Sequence, residues 1–157
     1  MATQISQKAE NSSLNIGSIL IALAGVALVG YGFVILIRNI SGSTEPGLTT
    51  EQLGAAPEEI QAFSQDLFNY ILHLQAANAG FMIGLGVAVI ALALFGIRRG
   101  ESWSLWTAFL ATLVALAIAL PLHYPFGFDT LGHLGPVYLV IVILLVGTFL
   151  SWRAMRT

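Results

Sequence analysis

The sequence predicts an all-α fold: a transmembrane four-helix bundle with both termini cytoplasmic (N-in/C-in) and its second helix extended on the outer side. Three observations lead there. The 157 residues are 57% hydrophobic and only 9% charged, with a mean hydropathy of +0.84, whereas a soluble domain carries about 25% charged residues. Four apolar runs contain no Lys, Arg, Asp or Glu, and each approaches the ~20 residues that carry a helix across ~30 Å of hydrocarbon. None shows the period-2 alternation of a membrane β-barrel, and a helix satisfies its own backbone in lipid.

The chain divides into an N-terminal tail, 1–13, and a single membrane domain, 14–157. The first span is about 14–37. Its apolar run exceeds the ~7–15 residues of a signal-peptide core, and Arg38-Asn39-Ile40 follows it without a small-residue cleavage pattern, so a retained helix is expected. The second span is about 76–97, the third 103–120, ended by Pro121, and the fourth 137–152. The connection over 38–75 opens on Ser41-Gly42-Ser43-Thr44-Glu45-Pro46-Gly47. Thr49 or Thr50 can then cap a turn at Glu51-Gln52-Leu53. Pro57-Glu58-Glu59 puts proline and acids in a first helical turn, and Ile60, Phe63, Leu67, Tyr70, Ile71 and Leu74 recur at helical spacing. A helix is therefore expected from about residue 57 into the second span, with a bend near the interface.

Positive charge sets the orientation. With the N-terminus inside, Lys8, Arg98, Arg99, Arg153 and Arg156 are cytoplasmic and only Arg38 is outside. Trp103, Trp106 and Trp152 then mark the inner boundary, and Tyr70, Tyr124, Phe126 and Phe128 the outer one. The expected location is the inner (plasma) membrane, with Arg98, Arg99, Trp103, Trp106 and Arg153 as topology and lipid-headgroup contacts. The bilayer itself is the first partner.

Composition also excludes. A net charge of −2 with six scattered cations leaves no basic patch for nucleic acid. The lack of cysteine removes disulfides, thiolate metal sites and covalent haem attachment. No cofactor is expected.

The candidate ligand-binding residues are His73, Asn78, His123 and His133, with Asp129 and Gln75 beside them; all fall at the outer side of this topology. Imidazole and carboxylate groups can ligate metals or exchange protons near neutral pH, and they also collect at interfaces because water is there. No two histidines stand at i, i+3 or i+4, so no metal centre is predicted. Within hydrocarbon, Asn78 needs a partner across helices.

Helix association in lipid relies on close packing of small residues. Candidate rows are Ser18, Gly25 and Gly32 on the first span, Ala76, Gly80, Gly84 and Ala88 on the second, and Ala111, Ala115 and Ala119 on the third. They are expected to pack helices within the chain, with mating to another subunit or a second copy as the alternative.

The string Gly96-Ile97-Arg98-Arg99-Gly100-Glu101-Ser102-Trp103 resembles a hairpin found in small, uncharacterised bacterial four-helix integral membrane proteins. Leu53-Gly54-Ala55 with Pro57-Glu58, and Asp129 with Gly132-His133-Leu134-Gly135-Pro136, are similar to that group as well, so the likeness covers about residues 49–152. It implies a bacterial membrane setting and no particular activity. The layout also resembles that of the EXPERA and DoxX-like membrane families, but no span carries the acid that a sterol-isomerase reaction needs.

The expected function is that of a non-enzymatic accessory subunit or binding module of a membrane assembly. The alternatives are a membrane enzyme or lipid/small-ligand binder with an outward His/Asp/Asn cleft, and an oligomeric transporter or channel. Charges within spans usually mark ion paths, and these spans hold none.

Overall fold

The computed structural model describes residues 2–43 and 48–156, with side chains from Ser12 onward. The side chain of Lys8 and the loop residues Thr44, Glu45, Pro46 and Gly47 lie outside the described residues. All regular structure in the described residues is helical: α1 (Ala2–Ile40), α2 (Thr50–Leu53), α3 (Pro57–Phe63), α4 (Gln65–Ala91), α5 (Ser102–His123) and α6 (Leu131–Ala154). After α4 the rod continues through a π-helical segment, Leu92–Gly96, and a 3-10 turn, Ile97–Arg99. Four stretches are long and apolar enough to cross a membrane: Ser12–Ile40, Gln65–Arg99, Ser102–His123 and Leu131–Ala154. The described residues are thus all-helical, with four helices able to span a membrane. We call its two ends the arginine end (Arg98, Arg99) and the histidine end (His123, His133).

Local chemistry explains the boundaries. Thr49 caps α2, accepting from the Gln52 backbone N–H at 3.3 Å, while the Thr49 N–H donates to Gln52 Oε1 at 3.0 Å. The Ala56 N–H donates to Glu59 Oε2 at 2.7 Å ahead of Pro57. The helix from Pro57 is not continuous with the second span. Ser64 takes an extended backbone (φ −161°, ψ 115°) and its hydroxyl caps the new helix by accepting from Leu67 N–H at 3.2 Å. The expected bend is therefore a break, placed by a serine that competes with helical backbone hydrogen bonding. Pro121 does not end α5, which runs on to His123. So close to the helix end, a proline costs only one carbonyl its donor. Helix α6 begins at Leu131 and tolerates Pro136 in its second turn. The Arg98–Ser102 hairpin turns at Gly100, whose φ of +82° favours glycine.

Helix α1 is the central post, with α4 and α6 packed along it. Glycines permit this. A Cβ on Gly25 would stand 2.8 Å from Gly86 O, and one on Gly86 2.6 Å from Gly25 O. Gly32 meets Ala79 O and Ile83 in the same way, and Gly17 faces Gly147 and Ser151 of α6. Of the first-span row, Gly25 and Gly32 pack on α4, and buried Ser18 donates to Asn15 O at 2.9 Å. Thr148 and Ser151 bury hydroxyls with no hydrogen-bond partner; they act here as small residues that admit α1. In contrast, nothing lies within 4 Å of a Cβ on Gly80 or Gly84, so the α4 row faces away from the bundle.

An asparagine fastens α1 to the α4 rod at each end. At the arginine end Arg98 Nε donates to Asn15 Oδ1 at 2.9 Å. At the histidine end Asn39 Nδ2 donates to Leu72 O at 2.7 Å and to Gln75 Oε1 at 3.4 Å. These clamps are about 36 Å apart at 1.5 Å per residue, a separation just beyond the ~30 Å of hydrocarbon.

The hydrophobic core lies at the arginine end: Ile21, Ala24, Val89, Ala93, Ile97, Leu105, Ala108 and Leu144. Helix α5 joins it only through its first half, where Ser104, Leu105, Ala108 and Thr112 are its buried residues. The π segment makes this contact. Ile97 N–H donates to Leu92 O, five residues back, and the widened turn buries Ala93, Gly96 and Ile97 together. Gly96 lies directly against Ser104.

Substituting Gly86→Ala is expected to lower stability by about 1–3 kcal/mol, the usual cost of overpacking, while Gly84→Ala is expected to be neutral or stabilising by up to ~1 kcal/mol from helix propensity. Unfolding of both variants in mild detergent, followed by circular dichroism, checks the pair; equal loss in both would contradict the glycine contact.

Candidate functional site

Because α5 is held at one end, a cleft of about 530 Å³ opens between its second half and the other three spans. That volume lies within the ~300–1,000 Å³ of small-molecule sites. Small residues leave the room: Ala27 on α1, and Ala115 and Ala119 on α5. The walls are otherwise apolar, with Met82 and Leu85 from α4, Leu116 from α5, and Val137 and Val140 from α6. Phe81 lines the cleft and is 78% exposed, so the α4 wall of the cleft reaches the protein surface. Leu48 and Phe128, from the two connections at the histidine end, complete the lining.

The polar groups of the cleft are few: Tyr31, Asn78, Thr112, His123 and His133. Thr112 Oγ1 donates to Ala108 O at 2.9 Å. His123, the last residue of α5, and His133, in the first turn of α6, bring their rings to 5.1 Å between centroids at 36°. The loop between them brings this about. Phe128 N–H closes on His123 O at 2.8 Å, Gly127 turns at φ +72°, and the N-terminal turn of α6 forms as His133 N–H and Leu134 N–H donate to Thr130 O. The Thr130 side chain makes no cap bond. Tyr124 and Tyr138 share a 2.8 Å hydroxyl hydrogen bond alongside.

His123 Nδ1 lies 2.9 Å from Ala119 O. A carbonyl only accepts, so Nδ1 carries the proton, and in the neutral ring Nε2 is an acceptor.

Three of the five candidate residues, Asn78, His123 and His133, thus line one cleft. His73 and Asp129 are exposed and do not line it. His73 and Asn78 are five residues apart, which turns them about 140° from one another around α4; His73 falls in line with Gly80 and Gly84. Gln75 is used by Asn39. Among the described residues no group of three His, Asp or Glu could hold a metal ion. Sequence reading missed Tyr31 and Thr112, which look like ordinary span residues, and assigned the alanines of α5 to packing, whereas Ala115 and Ala119 line the cleft.

At the other end Trp103 and Trp106 are 60% and 43% exposed on the lipid-facing side of α5. Arg98 is engaged by Asn15, Arg99 and Arg153 are exposed, and Arg156 lies 4.9 Å over the Trp152 ring.

No family model, curated protein or solved structure matches the chain.

If the paired imidazoles restrict access from the histidine end, a single cysteine at Leu116 in this cysteine-free chain is expected to react several-fold faster with a water-soluble maleimide when His123→Ala is added. Unchanged labelling would show that the rings do not shield the cleft.

Proposed function

We propose that this protein is a membrane-embedded binder of an apolar small molecule or lipid, held in a cleft that faces the outer side of an inner (plasma) membrane. The observation that carries the reading is the cleft itself: an apolar chamber of few polar groups with the His123–His133 pair at one end, the usual make-up of a small-ligand site. Its exposed wall at Phe81 gives a bilayer lipid a lateral way in. The orientation rests on arginine placement, which puts both termini in the cytoplasm and the histidines outside.

The test is photo-crosslinking of the purified protein in mild detergent with a diazirine-bearing alkyl probe, with peptide mapping of the adducts. Label is expected on Leu116, Ala119 or Val137. Filling the chamber with Ala115→Phe is expected to cut that label at least about fivefold, and Ala111→Phe, on the same helix outside the cleft lining, to leave it unchanged. Equal labelling in both variants would sink the reading. For orientation, a membrane-impermeant maleimide applied to intact cells is expected to label Thr130→Cys and to spare Glu101→Cys; the reverse pattern would invert the topology.

A second reading has its own support. The row Ala76, Gly80, Gly84 and Ala88 faces away from the bundle, Gly80 and Gly84 with nothing against them. Small-residue faces admit close helix approach in lipid. This suits an accessory subunit or binding module of a larger assembly, which the cleft does not preclude.

A further inference from the structure

The polar end of the cleft limits what head group it can accept. Among the described residues that line it, none is Lys, Arg, Asp or Glu. A phosphate or carboxylate drawn into this chamber would lose its water and meet no fixed cation, only the two imidazoles, and that cost is large. A neutral head loses far less, provided each of its polar atoms finds a partner.

The direction of the hydrogen bonds narrows the choice further. His123 has committed its Nδ1–H to Ala119 O, so in the neutral ring Nε2 is an acceptor that calls for a donor. Asn78 offers an amide that both donates and accepts. A ketone or ester carbonyl can accept from Asn78 but can give nothing to His123 Nε2. A hydroxyl donates and accepts. We infer that the cleft selects an uncharged amphiphile with a hydroxyl head on an apolar tail, the chemistry shared by long-chain alcohols, diacylglycerols and quinols. This rests on the cleft being a ligand site at all.

The experiment is competition at neutral pH against a diazirine-bearing hexadecanol crosslinked into the wild-type protein in detergent. Unlabelled hexadecanol, dioleoylglycerol and a short-chain quinol are the hydroxyl arms and distinguish the sources. Palmitic acid and dioleoylphosphatidic acid are the anionic arms, and the matching quinone is the acceptor-only arm. The hydroxyl arm that fits is expected to displace the probe at about tenfold lower concentration than the anions and the quinone, the order of one well-placed hydrogen bond. His123→Phe keeps an aromatic ring of similar size but removes the acceptor. It is expected to retain cleft labelling while the alcohol-to-quinone preference falls to near one. Labelling that persists without head-group preference in the wild type, or a preference that survives His123→Phe, overturns the inference and leaves the ligand site standing. Absence of cleft labelling in the wild type overturns both.

Discussion

Everything in this bundle depends on how closely α1 can approach its neighbours. In a hydrocarbon solvent no hydrophobic effect pushes helices together, so association depends on van der Waals contact and on the few polar pairs available. Gly25 against Gly86, Gly32 against Ala79, and Gly17 against Gly147 bring backbone to backbone. The asparagine clamps at Asn15 and Asn39 then fix the register at both ends. With α4 and α6 committed to α1, only the outside of this three-helix unit remains for α5.

The position of α5 follows from that. It is tied by a five-residue hairpin to the α4 rod, and the π segment at Leu92–Gly96 presents Gly96 to Ser104. Those contacts hold its first half. Beyond Thr112 none of its side chains is buried: Ala115 and Ala119 leave the gap, and half-buried Leu116 and Leu120 line it without closing it. The molecule is therefore packed at the arginine end and hollow toward the histidine end. The same asymmetry that weakens the packing creates the cleft, and functional cavities are commonly drawn from the less consolidated part of a fold.

Two histidines ten residues apart, on different helices, meet because the loop between them is short and specifically folded. The turn at Gly127, the Phe128 N–H to His123 O bond and the early start of α6 at Leu131 bring His133 back over His123. The Tyr124–Tyr138 hydrogen bond reinforces the same junction. The imidazole pair is thus a product of the loop, while the chamber next to it is a product of helix packing. Their coincidence gives the cleft one polar end.

Much of the architecture was legible in the residues themselves. The four spans follow from run length and absent charge, and the Thr49 cap and the Pro57 start follow from local hydrogen-bond chemistry, because each depends on neighbours within a few positions. The break at Ser64 and the passage of α5 through Pro121 were not legible, since a capping serine and a late proline each permit two outcomes that only packing separates. Nor could the sequence tell the packed glycines 17, 25, 86 and 147 from the open glycines 80 and 84. A missing side chain looks the same whether or not a backbone fills the space. The histidines showed the same division: sequence placed all three at one side of the membrane, and only the tertiary structure decided that His123 and His133 share a cleft with Asn78 while His73 does not, because α4's rotation and the fold of the loop after α5 are set by contacts distant in the chain.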